Sequence, residues 1–244
     1  MKKPIKIIAC IQARIGSHRL KRKVMRTING RTMIETIKAR LETCKTVDKI
    51  ALSTSSTKEN DSLERHAKTI NLACYRGSET DLVSRLLGTL EKYKGTALIR
   101  ITGDCPLVDP VIIDSMISIY KKNPDKFDLI TNVYKRSFPK GLDVEIIPLK
   151  TLRKLNMQIE KKDRELFTYY IMRNNSSFCI HNFKNRNDIS HLRWTVDYKE
   201  DLEFVKKIFE HFAPKKKFIM SDIIGLLQKQ PDLSNINKKW LNQK

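Results

Sequence analysis

The chain has 244 residues, a formal net charge of +21, 40% apolar residues and 31% charged residues. This content supports a buried core, and the length fits one large domain or two small ones. No stretch approaches the roughly 18 apolar residues of a membrane span, and no signal-peptide cleavage site follows the basic start. Five scattered cysteines without a CxxC pair argue against a disulfide framework or a zinc site. We therefore expect a cytoplasmic protein with reduced thiols and no membrane insertion.

The excess of positive charge has two interpretations. The lysines are spread along the whole chain, which favours a lysine-rich, solvated surface. A charge balance this basic is also compatible with an anionic ligand, including nucleic acid or an acidic membrane surface. No recognition-helix, zinc-finger or aromatic RNA-binding signature accompanies the charge. We therefore expect an anionic ligand and no specific nucleic acid.

The first half of the chain alternates predicted strands and helices. Strands are predicted at residues 5–12, 49–55, 72–77, 96–103 and 128–133. Helices are predicted at residues 31–44, 60–70, 80–93 and 109–120, the last with Asp109 as N-cap and Pro110 in the first turn. This alternation predicts an α/β doubly wound, mostly parallel sheet with right-handed crossovers. Ligands of such sheets bind at the carboxyl ends of the strands.

The second half has a more mixed pattern. Strands are predicted at residues 141–148, 177–183 and 191–197, and helices at 161–174, 198–212 and 221–230. No clear linker and no internal repeat divides the chain. We expect a single domain over residues 1–230, made of a nucleotide-binding part at about 1–135 and a smaller mixed α+β elaboration at 136–230. The polar tail at 231–244 is predicted to be loosely held.

The segment "QARIGSHRLKRK" directly follows the first predicted strand. Gly16 permits a tight turn, and nearby backbone N–H groups together with Ser17 can line an anion nest. Arg14, Arg19 and Lys23 can then reach several phosphate oxygens. The segment matches neither GxxxxGK[ST] nor GxGxxG, so it supports neither a P-loop nor a standard dinucleotide site. The alternative interpretation is a solvated basic loop.

Two aspartates follow other predicted strands. Asp104 in "RITGDCP" lies just past an apolar strand, at the expected ligand edge of the sheet. A carboxylate that faces a phosphate-binding loop repels the phosphates unless a cation lies between them, and Mg²⁺ is the usual one. Asp197 ends the predicted strand at 191–197, and its alternative role is the N-cap of the helix that starts at Tyr198. The pair suits one metal site.

At these motifs the chain resembles a known family. The segments "IQARIGSHRL", "RGSETDLVSR", "RITGDCPLVDP", "FPKGLDVE" and "HLRWTVD" resemble the spore-coat polysaccharide biosynthesis protein F group of cytidylyltransferases, which is related to the CMP-sugar (acylneuraminate and Kdo) synthetases. The motifs recur in order from about Ile8 to Leu227. The resemblance implies a nucleotide-diphosphosugar-transferase-like fold and Mg²⁺-dependent transfer of CMP from CTP to a sugar, with release of pyrophosphate. It also implies a homodimer whose interface uses part of the second half.

The resemblance also implies residue roles. It places Arg14, Gly16, Ser17, Arg19 and Lys23 at the CTP phosphates, with Arg14, Arg19, Lys23 and Asp104 as catalytic residues. Asp104 and Asp197 match the family's metal ligands. The cytidine is expected at Gln12, Ala13, Thr54, Ser55, Arg76, Ser78, Asp81 and Thr102. The acceptor side is expected at Asp143, Glu145, Arg164 and Glu165.

Two departures from the family pattern stand out. Lys21 and Arg22 replace the usual Pro-Gly, and Leu166 replaces a usual histidine in the Glu-His-Val-Thr motif. The second departure concerns the acceptor more than the nucleotide. Two alternatives to a CTP-dependent enzyme stay open at this point: a nucleotidyltransferase that uses another nucleotide such as UTP or dTTP, and a non-catalytic basic protein that binds nucleic acid or an anionic surface.

Overall fold

The computed structural model describes residues 4–215 and 217–241. The strands are β1 (Ile7–Gln12), β2 (Thr27–Ile28), β3 (Arg31–Thr32), β4 (Lys49–Ser55), β5 (Ala73–Gly77), β6 (Ala97–Thr102), β7 (Leu129–Thr131), β8 (Glu145–Pro148) and β9 (Ile180–Asn182). The helices are α1 (Met33–Leu41), α2 (Asp61–Thr69), α3 (Leu82–Lys92), α4 (Pro110–Lys122), α5 (Leu149–Gln158), α6 (Phe167–Arg173), α7 (Lys199–Phe212) and α8 (Met220–Lys229). Within these described ranges, no helix is long and apolar enough to cross a membrane.

The described strands other than β2 and β3 form one seven-stranded sheet in the order β5-β4-β1-β6-β8-β7-β9. The pairs β1–β4, β1–β6, β4–β5 and β7–β9 are parallel, whereas β8 runs antiparallel to both of its neighbours. The chain builds outward from β1 through β4 to β5 and then returns to place β6 on the other side of β1. This reversal is a topological switch point, which opens a crevice at the carboxyl ends of β1 and β6. The predicted mostly parallel α/β sheet is confirmed.

The central strand β1 is buried on both faces, which explains its unbroken apolar run. Ile7, Ala9 and Ile11 belong to a core that includes residues of α1, α4 and α7. Ile8 and Cys10 point to the opposite face and belong to a core that includes residues of α3, α5 and α6. The sheet therefore separates two hydrophobic layers. Its carboxyl edge is the region where polar side chains gather.

The local structure differs from the predictions in four places. Helix α5 and the β2–β3 hairpin were not predicted, although Asn29-Gly30 has positive φ at both residues and is a typical two-residue hairpin turn. The predicted helix at 161–174 is interrupted: a 3₁₀ turn at Lys161–Asp163 precedes α6. Strand β8 occupies only the second half of the predicted strand at 141–148. The remaining predicted helices and the strands of the first half lie where expected, with ends that differ by up to three residues.

The predicted strand at 191–197 is not a strand. The alternation of Leu192, Trp194 and Val196 resembles one, but the backbone pairs with two separate loops instead of a neighbouring strand. The N–H groups of Trp194 and Thr195 donate to the carbonyl of Lys140, and Val196 N–H donates to the carbonyl of Asp104 at 2.8 Å. An extended segment that bonds to loops retains the alternation without joining the sheet.

The described part of the C-terminal tail is not loosely held, contrary to the prediction. Asn237 is buried, and its amide donates to the carbonyl of Arg193 and to Asp201. The indole of Trp240 stacks on Tyr198 at a centroid distance of 3.7 Å. The segment is polar in composition but uses its few apolar and amide groups to cover the start of α7.

Candidate active site

A cavity of about 450 Å³ opens at the switch point between β1 and β6. Its described wall comprises Gln12, Ala13, Arg14, Gly16, Ser17, His18, Arg19, Lys23, Val24, Arg85, Thr102, Gly103 and Asp104. The wall thus combines the loop after β1, the end of β6 and one residue of α3. The ends of β1 and β6 are two of the strand ends at which the sequence predicted a ligand.

The close approach of the two strand ends depends on Gly103. Its N–H donates to the carbonyl of Gln12 at 2.8 Å. A Cβ atom at position 103 would lie 2.7 Å from the Cβ of Ala13, closer than real side chains allow. The absence of a side chain therefore lets the loop after β6 lie against the loop after β1, so that Asp104 reaches the cavity.

Lys23, Asp104 and Asp197 form the centre of the site. Lys23 Nζ donates to Asp104 Oδ2 at 2.6 Å and to Asp197 Oδ1 at 2.9 Å. The structure thus brings together the two aspartates that the sequence paired, although they lie in distant segments. The backbone bond from Val196 to Asp104 explains the meeting, because it fixes the segment that ends at Asp197 directly beside the β6 loop.

Asp197 is held from both sides. Its Oδ1 also accepts from Arg19 Nη2 at 2.7 Å, and its Oδ2 accepts from Arg193 Nη2 at 3.0 Å. It does not cap α7. That role belongs to Asp201, whose Oδ2 accepts the N–H groups of Asp197 and Tyr198. The alternative interpretation of Asp197 as an N-cap is therefore wrong.

The electrostatics keep Lys23 and Asp197 charged. Burial lowers the pKa of Lys23, but the negative charges of Asp104 and Asp197 outweigh it and hold that pKa above its ordinary value. Burial likewise raises the pKa of Asp197, but Lys23, Arg19 and Arg193 more than offset it, and the net pKa lies below its ordinary value. Both groups are therefore ionised at neutral pH.

The two carboxylates fit a magnesium ion. They converge on one cationic atom, Lys23 Nζ, and paired carboxylate oxygens are ligands that Mg²⁺ uses. Among the described residues, no group of three or more His, Cys, Asp or Glu side chains could hold a metal. Mg²⁺ at Asp104 and Asp197 would therefore take its other ligands from water and from phosphate, as this ion commonly does.

Arg14 and Arg19 lie at the open side of the cavity. Arg14 forms ion pairs with Glu79 at 3.3 Å and with Glu165 at 3.0 Å, and its side chain is 43% exposed. Exposed ion pairs contribute little net stability, so its guanidinium can exchange these partners for another anion at small cost. Arg19 is half exposed, and its Nη2 donates one hydrogen bond to Asp197.

The loop after β1 differs from the predicted anion nest. Ser17 N–H donates to the carbonyl of Ile15 at 2.7 Å, so it closes the turn at Gly16 instead of facing the cavity. Ile15 N–H is held by Asn60 Oδ1. Arg22 has a φ of 53° in the left-handed region, a conformation that glycine adopts at less cost than arginine. The cationic side chains, more than the backbone, make this loop suitable for an anion.

Several residues expected at the cytidine do not line the described wall of the cavity. Thr54 and Ser55 are fully buried at the end of β4 and bond to Asn60 and Thr57. Arg76 pairs with Asp61 and Glu64 on α2. Ser78 and Asp81 accept N–H groups at the start of α3. Gln12, Ala13 and Thr102 do lie on the wall.

The residues expected on the acceptor side are engaged in ion pairs beside the cavity. Asp143 accepts two bonds from Arg136, at 2.5 and 2.9 Å. Glu145 pairs with Arg100, whose Nε donates to Gln12 Oε1 at 2.6 Å. This relay orients the Gln12 side chain at the cavity wall. Arg164 and Glu165 connect the second half to the site through ion pairs with Asp81 and Arg14, respectively.

Sequence reasoning missed two arginines that shape the site. Arg193 is buried between Asp197 and Asp201, and Arg85 of α3 is buried at the cavity wall. Both occur within motifs that carried the resemblance, "HLRWTVD" and "DLVSR". Their helix or loop positions, away from a strand end, gave no local signal of a ligand.

The sheet order and the cavity at its switch point are those of a nucleotidyltransferase-like α/β protein. The solved structure of a cytidylyltransferase from Leptospira borgpetersenii superposes with a TM-score of 0.90, at 31% identity over 99% of each chain. The spore coat polysaccharide biosynthesis protein SpsF of Bacillus subtilis is 28% identical over 93% of this chain and 95% of that protein. The 8-amino-3,8-dideoxy-manno-octulosonate cytidylyltransferase of Shewanella frigidimarina is 30% identical over 52% of each chain.

The family model for cytidylyltransferases matches residues 8–235. The chain therefore belongs to the cytidylyltransferase family, and the resemblance seen in its motifs is confirmed. It is a nucleotidyltransferase by family and by fold.

Proposed function

We propose that this protein transfers CMP from CTP to an acidic sugar, with release of pyrophosphate, for cell-surface polysaccharide synthesis. The observation that carries the proposal is the convergence of Lys23, Arg19 and two carboxylates on one cavity at the switch point of a cytidylyltransferase fold. Lys23 and Arg19 can neutralise the negative charge of a triphosphate. When they bind the phosphates, Asp104 and Asp197 need another cation in their place.

Binding of the nucleotide is an exchange of partners. Lys23 and Arg19 leave the carboxylate of Asp197 for the triphosphate, and Arg14 leaves Glu79 and Glu165. Asp104 and Asp197 are the residues that would hold Mg²⁺ once Lys23 has moved, and the bound ion would polarise the phosphate and favour deprotonation of the acceptor hydroxyl. Arg193 stays in place, since two bonds to Asp201 anchor it.

The chain's own side chains then support the reaction by position and charge. An acceptor hydroxyl loses its proton to water and attacks the α-phosphorus, the bond from that phosphorus to the bridging oxygen of the β-phosphate breaks, and pyrophosphate leaves. Arg14, Arg19 and Lys23 neutralise the charge that develops on the leaving group. No covalent intermediate on the protein is needed.

An acidic sugar is the acceptor that the available groups favour. The 8-amino-3,8-dideoxy-manno-octulosonate enzyme is named for a sugar acid, and it matches half of this chain. Arg14 is exposed at the cavity mouth between Glu79 and Glu165, so it can contact an acceptor carboxylate as well as the leaving phosphates.

The direct test is release of pyrophosphate from CTP, UTP, dTTP and ATP with Mg²⁺ and a panel of nonulosonic acids, Kdo-like acids and neutral sugars. We expect release with CTP and at least one sugar acid, and little with neutral sugars. Activity with UTP or dTTP alone would contradict the assignment of the nucleotide. Tight, salt-sensitive binding to generic DNA, without any response to CTP, would instead support a nucleic-acid-binding protein.

We also propose that the protein is a homodimer whose interface includes the end of α5, the start of α6 and the segment between them. Met157 near the end of α5, Leu166 just before α6 and Tyr169 in α6 are large side chains that are 65–78% exposed. Exposed large apolar side chains are common at interfaces. Leu166→Asp is expected to shift the protein to monomer in sedimentation equilibrium, whereas Val111→Asp, at an exposed apolar site on α4, leaves the dimer intact. A wild-type monomer at micromolar concentration would contradict the proposal.

A further inference from the structure

Arg85 is a buried arginine at the cavity wall. It lies one turn into α3, and only 3% of its surface is exposed. The protein uses one end of its guanidinium: Nη1 donates to the carbonyl of Ser78 at 2.5 Å and to that of Glu79 at 3.2 Å. These two bonds fix the plane of the group against the loop before α3.

The opposite edge of the same guanidinium lacks partners. In the side chains of residues 4–215 and 217–241, one buried nitrogen or oxygen atom makes no hydrogen bond, and that atom is the Nε of Arg85. The only bonds that its guanidinium makes to described residues are those of Nη1, so the adjacent Nη2 is also available. A buried N–H without an acceptor is unfavourable and rare, and it indicates a group that acquires its partner from a ligand.

The Nε–Nη2 edge presents two parallel N–H donors. Such an edge pairs with two adjacent acceptors on one ligand. Cytosine offers N3 and O2 side by side as acceptors. Uracil offers O2, but its N3 carries a hydrogen, so it would place a donor against a donor. Leaving a buried polar group unpaired is a strong basis for rejecting a close analogue.

The position of Arg85 favours the base over the phosphates. Helix α3 packs in the core layer of Ile8 and Cys10, whereas Leu20 and Val24, which flank Lys23, pack in the opposite layer. Arg85 and the Lys23 cluster therefore approach the cavity from opposite faces of the sheet. Lys23 and Arg19 already provide cations for the phosphates on their side of the cavity. The base of the nucleotide would therefore lie on the side of Arg85.

We propose that Arg85 reads the N3–O2 edge of cytosine and selects CTP over UTP. The inference rests on the proposed function, because it assumes that this cavity holds a cytidine nucleotide.

The first experiment uses the unaltered protein with Mg²⁺ and measures dissociation constants by calorimetry for CTP, UTP, 3-deaza-CTP and inorganic triphosphate. The 3-deaza analogue replaces N3 by a C–H group and keeps O2. We expect it to bind about 10-fold or more weakly than CTP, and UTP to be weaker by about 10- to 100-fold. Equal affinity for CTP and the 3-deaza analogue would overturn the role of Arg85 alone. Absence of CTP binding would overturn the proposed function as well, which separates the two failures.

The second experiment compares Arg85→Lys with Arg40→Lys. Arg40 is also a buried arginine that donates to backbone carbonyls, but it lies at a different cavity. We expect Arg85→Lys to bring the CTP-to-UTP affinity ratio close to one while inorganic triphosphate binds within about twofold of the unaltered protein. Arg40→Lys should leave the ratio unchanged. A parallel loss of triphosphate affinity in Arg85→Lys would assign the residue to the phosphates and overturn the proposal.

Discussion

Asp104→Asn will reduce pyrophosphate release from CTP by about 10²- to 10³-fold, the usual cost of removing a group aimed at transition-state charge. Asparagine has nearly the same size as aspartate but replaces one of the two paired carboxylates by a neutral amide. Lys23 then keeps only Asp197 as an anionic partner, and a metal ion loses one of its two proposed ligands. Asp104 is about a quarter exposed and ends no helix, so the fold should tolerate the change.

Two measurements separate this effect from a general loss of stability. Binding of Mn²⁺, followed by electron paramagnetic resonance, should weaken by about tenfold or more in Asp104→Asn. The matched control is Glu91→Gln, which neutralises the carboxylate of the exposed ion pair with Arg153 far from the cavity. It should retain full turnover. Near-wild-type turnover in Asp104→Asn would remove Asp104 from the proposed metal site.

Asp201→Ala is expected to lower the free energy of unfolding by about 3–5 kcal/mol, the cost of leaving a buried charge without its partner. Asp201 is fully buried and accepts five hydrogen bonds: two from Arg193 and one each from Asn237, Asp197 and Tyr198. Alanine leaves the Arg193 guanidinium, two backbone N–H groups and an amide without this acceptor. Urea unfolding followed by circular dichroism measures the loss.

Asp222→Ala is the matched control for the helix-capping part of this effect. Asp222 accepts the N–H of Ile219 at the start of α8, three residues earlier, as Asp201 does for Tyr198 at the start of α7. Asp222 is exposed and forms no buried ion pair, so its loss should cost about 1 kcal/mol. Equal losses in the two variants would show that capping, not the Arg193 charge, accounts for the stability of the cluster.

Asp104 and Asp201 belong to one connected network of hydrogen bonds. Asp201 holds Arg193, Arg193 holds Asp197, and Asp197 shares Lys23 with Asp104. The described tail joins this network through Asn237, which explains why a polar C-terminal segment is ordered. A substitution at Asp201 should therefore also reduce turnover in whatever fraction stays folded, since it frees the group that orients Asp197.

Much of the fold could be read from local patterns. Apolar runs such as Ile7–Gln12 and the alternation with amphipathic helices predicted the parallel half of the sheet, because strands buried on both faces have few polar residues. The motifs also identified the family and the strand ends that line the cavity. The extended segment at 191–197 was assigned wrongly as a strand, since alternation reports which side chains are buried and not which backbone groups pair.

The sequence by itself determined the chemistry that gathers after β1 and β6: the cations of the loop at 14–23 and the carboxylate of Asp104. Only the tertiary structure decided that Asp197 meets Asp104 on Lys23, that Asp201 rather than Asp197 caps α7, and that one edge of Arg85 lacks a partner. The physical reason is the separation along the sequence of the groups that interact. Strand and helix patterns arise from neighbours along the chain, whereas shared protons and unpaired donors depend on groups that lie far apart in sequence and meet only when the chain is folded.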